Sequence, residues 1–381
     1  MYLSRETLCV HGLDHAHPDE KRSLTVPIYQ TAAFSHLQPG HNEHGFDYTR
    51  ISNPTREQLE ETVSALESAQ RTIAFTSGMA AISAVFELFA PGDKILCSED
   101  LYGGTVLLMD LVGRKNGLEL IFVDTTDPQA LEAAMTPDIK AIYIETPSNP
   151  MMNVTDIRLC SQWARKLGAL LIVDNTFLSP YFQNPLMMGA HIVVHSGTKY
   201  LCGHNDTLSG FLCFSDTTLA ERVHKIAYAL GAGLSPFDSY LMLRGIKTLA
   251  LRMEYQNRSA LAIARWLRNQ PKVKKVYYVG LEDHPGYALN ASQSRGCGGM
   301  LSFTVDSPET ALKLLKKVRI ITFAESLGGP ESLVTLPALQ THRDVPEADR
   351  LRLGITDSLI RLSVGLENPQ DLIQDLLQAL E

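Results

Sequence analysis

The chain has 381 residues, 45% of them hydrophobic and 20% charged, which suits a globular protein with room for two domains and well-filled cores. Its net charge of −8 argues against a sequence-independent nucleic-acid binder, which would carry a basic stripe. No apolar run approaches the ~20 residues that span a bilayer, no signal-peptide core opens the sequence, and the six scattered cysteines include no CxxC pair; the expectation is a cytoplasmic protein with reduced thiols, no membrane partner and no metal.

Residues 1–50 lack sustained periodicity and carry Pro18, Pro27, Pro39 and Gly40. They read as an arm lying on another surface, with a neighbouring subunit as the candidate. His11, His15 and His17 have no acid or Cys at ligand spacing, so they are not read as a metal site. Asn53-Pro54 then opens a helix: Asn is a good N-cap, Pro suits the first position, and Glu57 and Glu60 favour the positive end. Leu59, Val63 and Leu66 give it a buried face.

A short strand, 72–75, meets Thr76-Ser77-Gly78-Met79, and a helix follows as far as Pro91-Gly92. Such a turn presents free N–H groups to an anion; an ordinary tight turn is the alternative. It has neither a Walker lysine nor GxGxxG, so a nucleotide reading is weak. Strand-like runs at 94–97, 118–123, 141–145, 170–173, 192–195 and 211–214 alternate with helical stretches. The clearest crossover helix lies between Asp156 and Gly168, with an acidic start and a glycine stop. This alternation predicts an α/β domain around a mainly parallel, doubly wound sheet.

From Pro236 a helical stretch of over thirty residues, with a bend expected at Gly245, reads as a bridge between domains. Strands at 273–279, 299–305, 320–325 and 359–364, with helices from Pro308 and Pro369, predict a smaller α+β domain on a mixed or antiparallel sheet. The expected division is an arm over 1–50, an α/β domain over 51–247 and a C-terminal domain over 248–381.

In parallel sheets, ligands bind beyond the carboxyl ends of the strands. Asp174, Ser196, Thr198 and Lys199 all fall at such ends. A carboxylate, two hydroxyls and an amine suit a cofactor with a cationic ring nitrogen, a phosphate and an aldehyde; pyridoxal 5'-phosphate (PLP) fits. Desolvation there would lower the Lys199 pKa and free its amine for covalent chemistry; a solvated loop lysine is the alternative. Asp174 would keep the ring nitrogen cationic, or merely cap the next helix. Ser77, Gly78 and Met79 would add phosphate contacts. Tyr102 would lie on the ring face, or pack in the core.

Longer motifs go further. YTRISNPT (48–55), SGMAA (77–81), DLYGGT (100–105), ETPSNP (145–150), VDNTF (173–177), HSGTKYLCGHND (195–206), ESLGG (325–329) and IRLSVGLE (360–367) resemble, in order and over nearly the whole chain, the PLP-dependent enzymes of cysteine and methionine metabolism. These are the cystathionine synthases and lyases, methionine γ-lyase and the acylhomoserine sulfhydrylases. The resemblance implies a fold-type-I, aspartate aminotransferase-like subunit in a homotetramer of active dimers, acting on a small amino acid. It implies that Lys199 holds PLP covalently and shuttles protons, with Tyr102 on the ring and assisting. Asp174 would bind the ring nitrogen, and Asn149 the hydroxyl side of the ring. Ser77, Gly78, Met79, Ser196 and Thr198 would cradle the phosphate. Tyr48 and Arg50 would reach the neighbouring subunit's cofactor, with Tyr48 also near the substrate. Arg361 would clamp the substrate α-carboxylate, helped by Ser326 and Asn149.

Glu325 and Gly104 resemble the cystathionine synthases and γ-lyases, where an acid at the first position meets the distal amino group. Leu107 stands where cystathionine enzymes commonly have Arg, and Tyr228-Ala229 where many relatives have an Asn. The expectation is a C–S lyase acting by α,β- or α,γ-elimination on cystathionine, homocysteine, cysteine or methionine, with γ-replacement on an acylated homoserine as the alternative.

Overall fold

The computed structural model describes residues 3–12, 23–42 and 44–381. Every apolar run expected as a strand before residue 215 forms one. These are β1 (Arg71–Phe75), β2 (Lys94–Ser98), β3 (Glu119–Val123), β4 (Ile139–Glu145), β5 (Leu170–Asp174), β6 (Ile192–Ser196) and β7 (Gly210–Phe214). They make one sheet in the order β1-β7-β6-β5-β4-β2-β3. The strands from β3 through β6 pair in parallel, while β7 runs against both its neighbours. Leu171, Val173 and Val193 pack into the core on one face; Ile172, Ile192 and Val194 pack on the other. Burial on both faces is why these strands read as unbroken apolar runs.

The expected caps form. The Asn53 side chain accepts from the Thr55 N–H at 3.0 Å and opens the helix Pro54–Glu67. Asp156 accepts from the Leu159 N–H at 3.0 Å, and the helix Ile157–Leu167 ends on left-handed Gly168. In the arm, where no periodicity was legible, Ser4 caps a short helix, Arg5–His11. The Tyr181 hydroxyl donates to Glu6 there at 3.0 Å. His15 and His17 lie outside the described residues.

The long helical stretch is two helices, Pro236–Ile246 and Leu249–Leu267. The break falls at Lys247-Thr248 rather than at Gly245. The Thr248 amide and hydroxyl and the Arg252 guanidinium all converge on the Gly245 carbonyl, which closes the first helix. Gly245 serves a close approach instead: a Cβ there would lie 2.2 Å from the Cys202 carbonyl oxygen. The second helix joins two cores. Ala250 and Met253 pack with the large sheet; Ala260, Ile263, Ala264 and Leu267 pack with the second sheet. Fully burying an aliphatic side chain of this size contributes about 1.5–3 kcal/mol.

That second sheet contains β8 (Val273–Tyr277), β9 (Met300–Val305), β10 (Thr322–Phe323), β11 (Leu333–Thr335) and β12 (Leu359–Ser363), in the order β10-β11-β12-β9-β8. It is mixed: β10 and β11 pair in parallel, the rest antiparallel. The strand expected over 320–325 shrinks to two residues, because the Asp375 carboxylate takes the N–H groups of Arg319, Ile320 and Ile321. β11, three residues long, is too short to show alternation. Among the described residues no helix is long and apolar enough to cross a membrane.

Candidate active site

The carboxyl ends of β4, β5 and β6 carry Glu145, Asp174 and Ser196. Glu145 and Asp174 are register partners, as are Asp174 and Val194, so all three side chains share one face of the sheet. The reversed β7 brings its beginning, not its end, to the same place: Gly210 pairs with both Phe75 and Ser196. A Cβ on Gly210 would lie 2.2 Å from the Ser77 carbonyl oxygen, and one on Gly78 3.0 Å from the Ser196 Cβ. These glycines let the start of the helix Gly78–Phe86 close on Ser196. The Ser77 hydroxyl caps that helix by accepting from the Ala80 N–H at 3.1 Å, while Met79 packs against the core. The first N–H groups of such a helix have no partner within it and suit an anion.

The turn after β6 is pinned by Thr198, whose hydroxyl donates to the Ser209 carbonyl at 3.2 Å and accepts its N–H at 3.0 Å. Lys199 follows. Its Nζ donates to the Ser326 Oγ at 2.9 Å. Burial, with the charge of Arg361 nearby, lowers the amine to about 8, so part of it is neutral and nucleophilic near neutral pH. Asp174 is buried, and its Oδ1 accepts the amide and hydroxyl of Thr176 at 3.0 and 2.6 Å. Burial pushes its carboxyl above the usual range; a cationic ring nitrogen beside it would favour the ionised form.

Arg361 lies on β12, 3% exposed. Its Nη1 donates to the Asn149 Oδ1 at 2.9 Å and its Nη2 to the Ser326 carbonyl at 3.2 Å. Burial lowers this guanidinium to about 10. Its hydrogen bonds go to two neutral oxygens, with Glu325 and Glu145 acting on it only at longer range, and a substrate carboxylate fits the planar fork. Ser326 holds its place with φ +100°, a conformation that costs a non-glycine residue about 1–3 kcal/mol. Tyr102 donates its N–H to the Glu145 Oε2 at 2.9 Å. Its ring lies across Gly104, where a Cβ would sit 2.5 Å from it. The ring is 39% exposed, and partial burial raises its phenol.

A cleft of about 770 Å³ opens beside these groups, lined by Thr76, Thr198, Asp206, Glu325 and Ser326 among others. The structure does not bring Tyr48 and Arg50 into its lining. They border a neighbouring hollow of about 390 Å³ that shares Gly233 and Ser235 with it. The Arg50 guanidinium sits 5.4 Å from the Tyr48 ring centroid and 4.4 Å from that of Tyr228. Leu107 faces a third hollow, of about 300 Å³, with Asp110, His342 and Asp349. Sequence reasoning missed Glu145, although it ends its strand as Asp174 does. It also missed His342, for which a loop with no periodicity gives no signal.

The residues present fit PLP. Lys199 offers an amine for the aldehyde, Asp174 a buried carboxylate for the ring nitrogen, and the Gly78 helix start its N–H groups for the phosphate. The family model for the Cys/Met metabolism PLP-dependent enzymes matches residues 6–381. A cystathionine γ-lyase of Bacillus subtilis (strain 168) is 47% identical over 381 residues, covering all of both chains. A cystathionine γ-synthase of Haemophilus influenzae is 46% identical over 358 residues, 94% of this chain and 92% of that protein. The crystal structure of cystathionine γ-lyase from Lactobacillus plantarum complexed with L-serine superposes with a TM-score of 0.95 at 42% identity, covering 99% of this chain and 98% of that one. The mainly parallel seven-stranded sheet is therefore that of a fold-type-I subunit. Motifs, strand-end chemistry and whole-chain similarity agree: the chain belongs to the PLP-dependent enzymes of cysteine and methionine metabolism, and PLP is its cofactor.

Proposed function

We propose that this enzyme is a C–S lyase that cleaves cystathionine, homocysteine, cysteine or methionine by α,β- or α,γ-elimination, releasing ammonia, a 2-oxo acid and a thiol. One observation carries the reading. Ser326 touches both the Lys199 amine through its hydroxyl and the Arg361 guanidinium through its carbonyl, so a proton-accepting group and a carboxylate clamp share one crevice. Bound PLP supplies the electron sink for the pair left at the substrate Cα. Arg361, with Asn149 and Ser326, holds the α-carboxylate. The free Lys199 amine would take the Cα proton and, after passing that proton on, would be able to take a Cβ proton when the leaving group is on Cγ. Asp174 would pair with the ring nitrogen; Ser77, Gly78, Met79, Ser196 and Thr198 would hold the phosphate; Asn149 would also meet the ring hydroxyl; Tyr102 would cover the ring face and assist proton transfer.

Glu325 lies on the cleft wall with no Lys or Arg in that lining, which supports recognition of a distal amino group. Tyr48 and Arg50 sit outside the cleft of their own chain, which supports their service to a second copy's phosphate, in a homotetramer of active dimers. Sedimentation or mass photometry tests the assembly, and mixing inactive Arg50→Ala and Lys199→Ala subunits tests the shared site by restored activity. We place the boundary between the α/β and C-terminal domains near residue 248.

A γ-replacement enzyme, joining an acylated homoserine to cysteine or sulfide, is the second reading; similarity to the γ-synthase is nearly equal to that with the γ-lyase. Incubation with cystathionine alone, and separately with O-acetylhomoserine or O-succinylhomoserine plus cysteine, separates the two. The lyase reading expects a 2-oxo acid from the first. No 2-oxo acid there, with thioether from the second, overturns it.

A further inference from the structure

His342 is 2% exposed and belongs to the segment between β11 and β12. Its Nε2 lies 3.3 Å from the Leu101 carbonyl oxygen and 3.2 Å from that of Asn149. Its Nδ1 lies 2.9 Å from the Thr341 hydroxyl. Two carbonyl oxygens at Nε2 require a proton there; in the neutral ring the Nδ1 lone pair accepts from Thr341. Both nitrogens are engaged. Burial, and next the charge of Arg361, lower the ring to about 4, in keeping with the neutral form.

The two carbonyls belong to the loops that follow the neighbouring strands β2 and β4, which Asp100 also joins by accepting from the side chains of Ser148 and Asn153; His342 adds a donor from the C-terminal domain to that junction. Leu101 precedes Tyr102, whose N–H is held by Glu145. Asn149 bears the oxygen that receives Arg361. The backbone closes on the same point, since a Cβ on Gly103 would lie 2.1 Å from the Thr341 carbonyl oxygen. We propose that His342 is a positioning residue: its Nε2–H ties the Tyr102 loop to the Asn149 loop and so sets the carboxylate clamp against the ring-face tyrosine. The inference rests on the roles given above to Arg361, Asn149 and Tyr102.

The geometry makes a specific demand. A neutral donor at the Nε2 position suffices, and a side chain of similar bulk without one does not. Glutamine places an amide N–H at comparable reach; leucine fills the volume and donates nothing. The test compares holoenzymes of His342→Gln, His342→Leu and Arg361→Lys. Each is assayed with cystathionine for kcat and KM, and each is titrated with glycine, a small α-amino acid lacking a leaving group, by the change in cofactor absorbance. For His342→Leu the expected result is a roughly ten-fold weaker glycine affinity and a matching rise in KM, with kcat lowered less. His342→Gln should restore affinity to within about three-fold of the parent. PLP content and melting temperature are measured alongside.

Unchanged glycine affinity in His342→Leu, with Arg361→Lys clearly weakened, overturns the role of His342 and leaves the clamp standing. Loss in Leu and Gln variants alike, following a lowered melting temperature, makes the residue structural only and also overturns it. Unchanged affinity in Arg361→Lys fails the clamp itself, and with it the reading on which the inference depends.

Discussion

Glu145 and Asp174 stand side by side at the ends of β4 and β5, register partners with both carboxyls buried. Burial, reinforced by Asp174, pushes the Glu145 carboxyl well above its usual range, and burial raises Asp174 too. Two neighbouring anions are unfavourable in so dry a place, so a cationic ring nitrogen relieves the pair. Asp174→Asn keeps the shape and removes that anion. The expected outcome is a protein that still takes up PLP but whose kcat/KM falls by at least about a hundred-fold. Steady-state kinetics on PLP-saturated enzyme checks this.

Lys199 predicts a pH dependence. Burial, with the charge of Arg361 nearby, lowers its amine from the ordinary 10.5 to about 8, so it is protonated and unreactive at acid pH. The rate at which cofactor-free protein joins PLP covalently should climb with pH and level off above about 8, as stopped-flow absorbance would show. Between the two values the unfolded chain holds the extra proton, so this lysine makes stability rise with pH across that window. Lys199→Ala should bind PLP without the covalent link, lose turnover by orders of magnitude and lose this contribution to the pH profile of denaturation.

Arg252 gathers the carbonyls of Tyr200, Leu201 and Gly245 at 2.7, 3.4 and 2.8 Å, deep inside the protein. Tyr200 and Leu201 follow Lys199 directly, so the guanidinium anchors the turn that carries the amine. Arg252→Leu removes this donor from the Tyr200 and Leu201 carbonyls, while Gly245 keeps its bonds from Thr248, and should cost about 2 kcal/mol or more of stability. Gly203→Ala attacks the same anchor from the other side. Gly203 has φ +66°, and a Cβ there would lie 1.8 Å from the Arg252 Nη1. It should destabilise by roughly 2–3 kcal/mol. Chemical denaturation of both variants measures the losses.

Glu67 and His195 form a buried pair, with 2.8 Å between Oε2 and Nε2 and both side chains at most 1% exposed. Removing one partner strands the other in a dry core. Glu67→Ala or His195→Ala alone should cost about 3–5 kcal/mol, while Glu67→Met combined with His195→Leu should cost much less. Denaturation of the two single variants and the combined one supplies the comparison; a combined loss equal to the sum of the two single losses would show that the pair gains nothing from its mutual attraction.

Much of this molecule is legible in its sequence because burial on both faces prints strands as apolar runs. Leu170–Asp174 and Ile192–Ser196 announce themselves, and with them the position of Asp174 at the end of β5 and of Lys199 just beyond β6. What stays hidden is long-range. Nothing in GFLCF says that β7 runs backwards, since an apolar run carries no direction. The Lys199–Ser326 bond spans 127 positions, and its partner sits in a turn that has no period. β11 is too short to alternate. His342 depends on two carbonyls, Leu101 and Asn149, that only tertiary packing brings together.

The helix Leu249–Leu267 enters both cores, while the amine belongs to one sheet and the guanidinium to the other. It therefore works as a ruler between the two halves of the chemistry. One added or missing turn would slide one half by about 5.4 Å, far beyond what a 2.9 Å bond from Lys199 to Ser326 tolerates. Each half could keep its own packing while the catalyst lost its register, so the length of this rod is set by the reaction as much as by folding.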